Sequence, residues 1–326
     1  MKKALITGLN GQDASYLAEF LLAKGYQVVG TVRSKTPAWP YGFNPHQPNL
    51  EIMQVDLGYS ESIRNLFNAV GHVDEVYNLA AQSHVGYSFE NPEETYKVTG
   101  VGACLMMGEF FRNFPAGKFY QASSSEMFGD QEQSINGFDW RDDYLPVSPY
   151  GVAKVMAHFG ASSHRKHGKF ACAGILFNHE SERRPDSFVT QKIVKYVALA
   201  KACNPGIVQR LKLGNIFARR DWGYAPEYVE IMWNIMQKEE PNEYVVGTGI
   251  ATSVLSFAQK AFEYVGLDWA DFTITESPYF TRPHDIACLR ANPIEADKLL
   301  GRELTNVDGL VKIMMDHQLK VQGVEK

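Results

Sequence analysis

The chain has 326 residues, 45% of them hydrophobic and 21% charged, which is the balance of a globular fold with one large domain or a large and a small one. The formal net charge is −5 and neither half carries a run of like charges, so no basic stripe for nucleic acid is visible. No segment reaches the ~18 apolar residues of a membrane span, and the apolar run behind Met1-Lys2-Lys3 is only Ala4-Leu5-Ile6, too short for a secretion signal.

Residues 3–7 read as a strand that runs into Gly8-Leu9-Asn10-Gly11-Gln12-Asp13-Ala14 and then into a helix over 13–24, with Leu17, Phe20 and Leu21 at helical spacing. The turn is a GxxGxxA pattern. Gly8 and Gly11 permit a tight bend, and the helix N-terminus offers unpaired N–H groups, so Gly8, Asn10, Gly11, Gln12 and Asp13 form a candidate pyrophosphate cradle. The next strand, 27–32, ends in Val32-Arg33-Ser34-Lys35. An NAD site places an acid there for the ribose hydroxyl; two cations favour NADP instead, its 2′-phosphate meeting Arg33. Solvated loop cations are the other reading of that pair. Residues 34–49, with Pro37, Pro40, Pro45 and Pro48, form an irregular loop. A strand over 50–55 leads to Asp56, where an adenine amine is often met. A helix over 60–70, a strand over 75–79, a helix through 103–114 and a strand over 118–123 continue the alternation.

The chemistry is concentrated in QASSSEMFG (121–129) and SPYGVAK (148–154). Tyr150 and Lys154 lie four apart and share a helix face, so the ammonium is expected to lower the phenol pKa toward working pH. Ser124, at the end of the preceding strand, can hydrogen-bond the hydroxyl that Tyr150 deprotonates. Glu126 goes beyond a simple dehydrogenase: a carboxylate two residues from Ser124 suggests a second proton transfer, such as removal of a proton α to a newly made ketone. A solvent-facing loop glutamate is its structural alternative.

Residues 170–178 read as another continuous apolar strand. After them helices dominate, over 189–202, 225–237 and 253–265. Near-continuous apolar strands alternating with helices predict an α/β fold, a Rossmann-type doubly wound parallel sheet. Residues 1–180 are expected to form the nucleotide-binding domain. Residues 181–326 should be a smaller substrate-binding portion with segments folded back on the first. Cys104, Cys172, Cys203 and Cys288 have no CxxC spacing and are expected to be free thiols in a reducing, cytoplasmic compartment. No set of His, Cys and acids has metal-ligand spacing.

At these residues the chain resembles the GDP-mannose 4,6-dehydratases, a family of extended short-chain dehydrogenases/reductases. The likeness runs from Ala4 to about Leu300 through NLAAQSHV (78–85), YQASSSEMFG (120–129), SPYGVAK, GILFNHESERR (174–184), FVTQKI (188–193), RDWG (220–223) and FTRP (280–283). It implies an internal redox cycle on a nucleotide-sugar, with Tyr150 taking the C4 hydroxyl proton and Glu126 the C5 proton. It implies nucleotide-sugar contacts at Ser83, Glu126, Asn178, Val189, Lys192, Arg219 and Arg282. Cofactor contacts would include Asp56, Leu57, Leu79, Ala80, Ala81, Ser83, Tyr150, Lys154, His179 and Arg184. It also implies a homodimer through the helices of 103–114 and 150–167. The chain departs from the family in having Ser124 for Thr, Asn10 and Ala14 for Thr and Gly, and Arg33-Ser34-Lys35 for adjacent arginines. TRPHD replaces FRPAE, and residues 135–147 are atypical. A 4-ketoreductase or epimerase on a related nucleotide sugar stays open, as does a catalytically silent NADP-binding regulator.

Overall fold

The computed structural model describes residues 1–203, 209–274 and 285–324. β1 (Lys3–Thr7) leads through the glycine turn into α1 (Gln12–Ala23), then β2 (Gln27–Val32), β3 (Leu50–Gln54), α2 (Ser60–Ala69) and β4 (Glu75–Asn78). Two short helices, α3 (Val85–Glu90) and α4 (Pro92–Thr95), run through a π-helical stretch, Tyr96–Val101, into α5 (Gly102–Asn113). Next come β5 (Lys118–Ser124), α6 (Pro149–Lys166), β6 (Phe170–Leu176), β7 (Asn178–Glu180) and α7 (Val189–Ala202). They are followed by β8 (Leu211–Lys212), β9 (Arg219–Tyr224), α8 (Ala225–Met236), β10 (Glu243–Val246), β11 (Ala251–Ser253) and α9 (Val254–Tyr264). The chain continues through β12 (Thr273–Ile274), β13 (Cys288–Leu289), α10 (Ile294–Leu300) and α11 (Val307–Gln322).

The main sheet has seven strands in the order β10-β6-β5-β4-β1-β2-β3, all pairs parallel. Strand order reverses between β1 and β4, which opens a crevice at their carboxyl ends where ligands bind in such folds. The sheet is doubly wound, as the apolar strands require. One face carries Leu17, Leu21, Ile231, Ile235 and Leu299 from α1, α8 and α10. The other carries Ile63, Phe67, Met106, Phe110 and Ala157 from α2, α5 and α6. A separate core gathers Ile193 and Val197 of α7, Phe257 and Phe262 of α9, and Leu310 and Met314 of α11. A smaller sheet runs β11-β9-β13, with β7 also pairing β9.

Residues 170–178 do not form one strand. β6 stops at Leu176 and β7, in the other sheet, starts at Asn178; Phe177 between them is buried against Met127, Phe128 and Phe138. β3 is an edge strand with exposed Glu51 and Gln54 rather than a core strand. The helices between 85 and 101 had no periodic signal, being too short for one.

Candidate active site

The glycine turn lies at the reversal of strand order. Gly8 has φ +75°, and a Cβ there would come within 3.0 Å of the Ala80 Cα. Only a glycine combines that left-handed backbone with so close an approach to β4. Gly11 is the N-cap of α1 and has no side chain to cover the free N–H groups of its first turn. The bare helix end and the glycine cradle fit a dinucleotide pyrophosphate. Thr7 braces the opposite wall: its Oγ1 accepts from the N–H groups of Leu79 (3.0 Å) and Ala80 (2.9 Å). Ala81 and Ser83 follow in the same segment, Ser83 exposed.

Gln12 and Asp13 turn away from the open end. Gln12 Nε2 donates to the His179 carbonyl at 3.1 Å, and Ser181 Oγ donates to Gln12 Oε1 at 2.8 Å. Asp13 Oδ2 lies 2.8 Å from His179 Nε2, while His179 Nδ1 meets the Phe177 carbonyl at 2.7 Å. Burial opposes charge on both partners, yet each overcomes it in the other: the Asp13 carboxyl is lowered and the His179 imidazole raised. The cradle is thereby tied to β7. At the adenosine end, Asp56 Oδ1 accepts from the Gly58 N–H at 2.8 Å, and Leu57 is buried against Gly102. Arg33 is exposed, and its Nη1 donates to Glu94 Oε1 at 2.7 Å.

The proton-handling residues converge where β5 ends against the first turn of α6. Pro149 begins that helix, and Ser148 caps it by accepting from the Gly151 N–H at 3.0 Å. Ser88 Oγ of α3 accepts from the Tyr150 N–H at 3.2 Å. Gly151 is forced by contact: a Cβ there would lie 2.7 Å from the Glu126 carbonyl oxygen. The Ser125–Met127 turn thus packs its Glu126 backbone against the residue that follows Tyr150, and the Glu126 charge acts on the phenol. Tyr150, Lys154 and Ser124 are buried while Glu126 keeps partial exposure.

Burial dominates the protonation of this set. It pushes the Tyr150 phenol up to about 12; a hydrogen bond from Ser124 opposes the rise and the Glu126 charge adds to it. Burial likewise brings Lys154 down to about 8, against the pull of Asp13. The expected lowering of Tyr150 by Lys154 does not occur. Lys154 Nζ stands 5.7 Å from the Tyr150 ring centroid and donates instead to the Ala122 carbonyl at 2.7 Å.

The substrate-side residues lie on the second half of the fold. Asn178 opens β7, Val189 opens α7, and Lys192, one turn on, donates to the Lys212 carbonyl at 2.7 Å. Arg219 opens β9 and donates to the Ala251 carbonyl at 2.9 Å. Arg184 pairs through Nε with Glu180 at 2.9 Å and lies 3.5 Å over the Phe188 ring. Arg282 lies outside the described residues.

Several site residues escaped the sequence reading. Asn78 Nδ2 donates to Gln121 Oε1 at 2.9 Å, and Gln121 Nε2 to the Ala122 carbonyl at 2.9 Å. Glu180 takes the Thr190 hydroxyl at 2.6 Å as well as Arg184. The signal for Asn78 and Gln121 was a polar side chain next to apolar strand residues, which buried hydrogen bonding must satisfy; Glu180, in the all-polar β7, had none.

Residues 5–314 match the family model described as GDP-mannose 4,6 dehydratase. The chain is 41% identical to GDP-mannose 4,6 dehydratase 1 of Arabidopsis thaliana, over 100% of this chain and 92% of the relative. It is 36% identical to a GDP-mannose 4,6-dehydratase of Vibrio cholerae, over 98% and 94%. Among solved structures, a Thermotoga maritima UDP-glucose 4-epimerase with UDP-glucose superposes with TM-score 0.83 at 18% identity, over 98% and 99% of the two chains. Pseudomonas aeruginosa RMD complexed with NADPH does so at 0.75 and 17% identity, over 98% and 100%. A Thermus thermophilus UDP-glucose 4-epimerase complexed with NAD superposes at 0.82 and 20% identity, over 97% and 98%.

Proposed function

The chain belongs to the GDP-mannose 4,6-dehydratase family, and from that premise we propose that it converts GDP-mannose to GDP-4-keto-6-deoxymannose using NADP. It is a nucleotide-sugar 4,6-dehydratase, a hydro-lyase with a Rossmann-type fold and a nicotinamide cofactor. Held by the turn of Gly8 and Gly11 and the bare end of α1, a nicotinamide would supply the hydride acceptor for C4 of the sugar and the hydride donor for C6. Tyr150 takes the C4 hydroxyl proton as the phenolate, which its burial disfavours until the Lys154 ammonium turns from the Ala122 carbonyl toward it, with Ser124 holding the same oxygen. The C4 ketone acidifies C5; Glu126 removes that proton, and the C6 hydroxyl leaves as water with a proton from the same carboxyl. The observation that supports this reading is that the Glu126 backbone packs on Gly151, next to Tyr150, with its charge close enough to act on the phenol. Reduction at C4 has no use for a base at C5.

Arg33 is assigned to the 2′-phosphate, and Asp56 and Leu57 to the adenosine. Ser83, Asn178, Val189, Lys192, Arg219 and Arg282 are assigned to the nucleotide-sugar, where guanidinium groups suit a diphosphate. Residues 1–180 are assigned mainly to the cofactor and 181–326 mainly to the substrate, with α8, β10 and α10 folded back into the first portion. Among the described residues no helix is long and apolar enough to cross a membrane, and four free thiols suit a cytoplasmic location. The working unit is a homodimer. Val101 and Leu105 before and on α5, and Val152, Met156 and Phe159 on α6, leave an exposed apolar face that a second copy would cover.

The test is turnover of GDP-mannose in heavy water, read by mass spectrometry and proton NMR. Loss of one water with one deuterium at C5 supports the assignment. With Glu126→Gln, water loss should stop while cofactor binding persists. Unchanged GDP-mannose, with an active reference dehydratase alongside, overturns the substrate.

A further inference from the structure

We propose that Glu94, acting on Arg33, sets the preference of this chain between NADP and NAD. The inference rests on the reading that Arg33 faces the 2′-phosphate. The end of β2 carries no acid of its own, only Arg33, Ser34 and Lys35. The fold supplies one from elsewhere: Glu94 of α4 is placed against Arg33, with Oε1 at 2.7 Å from Arg33 Nη1. Its other oxygen is also held, since Tyr87 Oη of α3 donates to Oε2 at 2.6 Å. The two short helices thus present a clamped carboxylate at the strand end that contacts the adenosine ribose in dinucleotide folds. That end is anchored to the glycine turn, as the Leu9 N–H donates to the Thr31 carbonyl at 2.8 Å.

The consequence follows from charge. A 2′-phosphate arriving at Arg33 finds the guanidinium already paired and meets a second anion beside it. A free 2′-hydroxyl meets a carboxylate able to accept its proton, as the missing β2 acid would. The hydrogen bond from Tyr87 and the pairing with Arg33 both hold the Glu94 carboxyl below its usual range, so the charge is present at neutral pH. The pair is open to solvent, with Arg33 at 68% and Glu94 at 37% side-chain exposure, so it can be exchanged rather than being a fixed part of the core. Glu94 therefore narrows the margin by which NADP is preferred.

The experiment measures dissociation constants of NADP and NAD, by calorimetry, for the full chain and for Glu94→Gln, Tyr87→Phe, Arg33→Met and the Arg33→Met/Glu94→Gln pair. Glu94→Gln should raise the NADP over NAD affinity ratio by about 2- to 5-fold, the scale of one exposed charge interaction. Tyr87→Phe, which loosens the clamp, should move it the same way by less. Arg33→Met should lower the ratio. If Arg33→Met lowers it while Glu94→Gln leaves it unchanged, the role of Glu94 is overturned and that of Arg33 stands. If Arg33→Met changes nothing, the reading of Arg33 itself fails.

Discussion

Lys154 and Gln121 share one acceptor, the Ala122 carbonyl, which takes Nζ of the first at 2.7 Å and Nε2 of the second at 2.9 Å. Gln121 also accepts from Asn78, and Asn78 Oδ1 accepts from Thr7 Oγ1 at 2.8 Å. One buried chain of hydrogen bonds therefore runs from Thr7, beside the glycine turn, through β1, β4 and β5 to Lys154. Replacing Gln121 with Met keeps the volume but leaves the Asn78 amide without its acceptor, at a cost of about 1–3 kcal/mol. In thermal unfolding, Gln121→Met and Lys154→Met should be non-additive by more than about 0.5 kcal/mol. Strict additivity would show that the shared carbonyl does not couple them.

The contact between α6 and the Ser125–Met127 turn gives a sharper kinetic test. A methyl group at Gly151 would sit 2.7 Å from the Glu126 carbonyl oxygen and 2.9 Å from the Pro146 Cβ. The turn must shift, and Glu126 with it, while the cradle around Gly8 is untouched. Gly151→Ala should lower kcat on the order of 100-fold, the penalty for a misplaced catalytic group, with cofactor affinity within twofold of the parent. Equal losses in both would mean that the substitution disturbs the fold and not the placement of Glu126.

The legible parts of this fold were those where one local pattern decides the outcome. Gly8 and Gly11 between an apolar strand and a helix announced the cradle, and the Tyr150–Lys154 spacing announced a shared face. What stayed hidden depends on packing between distant segments. Glu94 and Arg33 are 61 residues apart and meet only because two short helices fold over β2. The break at Phe177 was invisible because an apolar run looks the same whether it continues in one sheet or passes to another. The Tyr150 protonation was misread because lysine spacing was visible and burial was not. Once the phenol is enclosed, burial outweighs a neighbouring ammonium that points at a carbonyl.

A second buried network, behind the site, predicts the acid limit of stability. His158 meets Ser123 Oγ at 2.9 Å and Tyr144 Oη at 3.1 Å, and lies 3.4 Å from Glu243, which also pairs with Arg165. Burial would raise the Glu243 carboxyl, but His158 and Arg165 overcome it and bring it down from 4.5 to about 2. A carboxyl lowered by folding stabilises the native state above its unfolded pKa and loses that contribution as pH falls through the folded one. The loss should therefore run from about pH 4.5 to about pH 2. Glu243→Gln should lower Tm at pH 7 by several degrees, the equivalent of about 1–3 kcal/mol, and the gap to the parent should narrow below about pH 4.5 and close as pH approaches 2. A constant gap across that range would remove Glu243 as the titrating group.

The exposed face of α6 makes the last prediction. Val152, Met156 and Phe159 follow at helical spacing with 41%, 44% and 56% exposure, while Ala153, Ala157 and His158 of the same helix are buried. Val101 and Leu105, at 43% and 37%, extend the strip onto the neighbouring helix. Adjacent apolar strips on two helices bury well against their own copies, because ridges of one pair fit the grooves of the other. Phe159 is the most exposed of them, so an acid there places charge at the centre of such an interface and leaves the core intact. Phe159→Asp should sediment as a monomer at micromolar concentration, where the parent should sediment as a dimer, with the far-UV spectrum unchanged. A folded Phe159→Asp chain that still sediments as a dimer would assign the contact to another face.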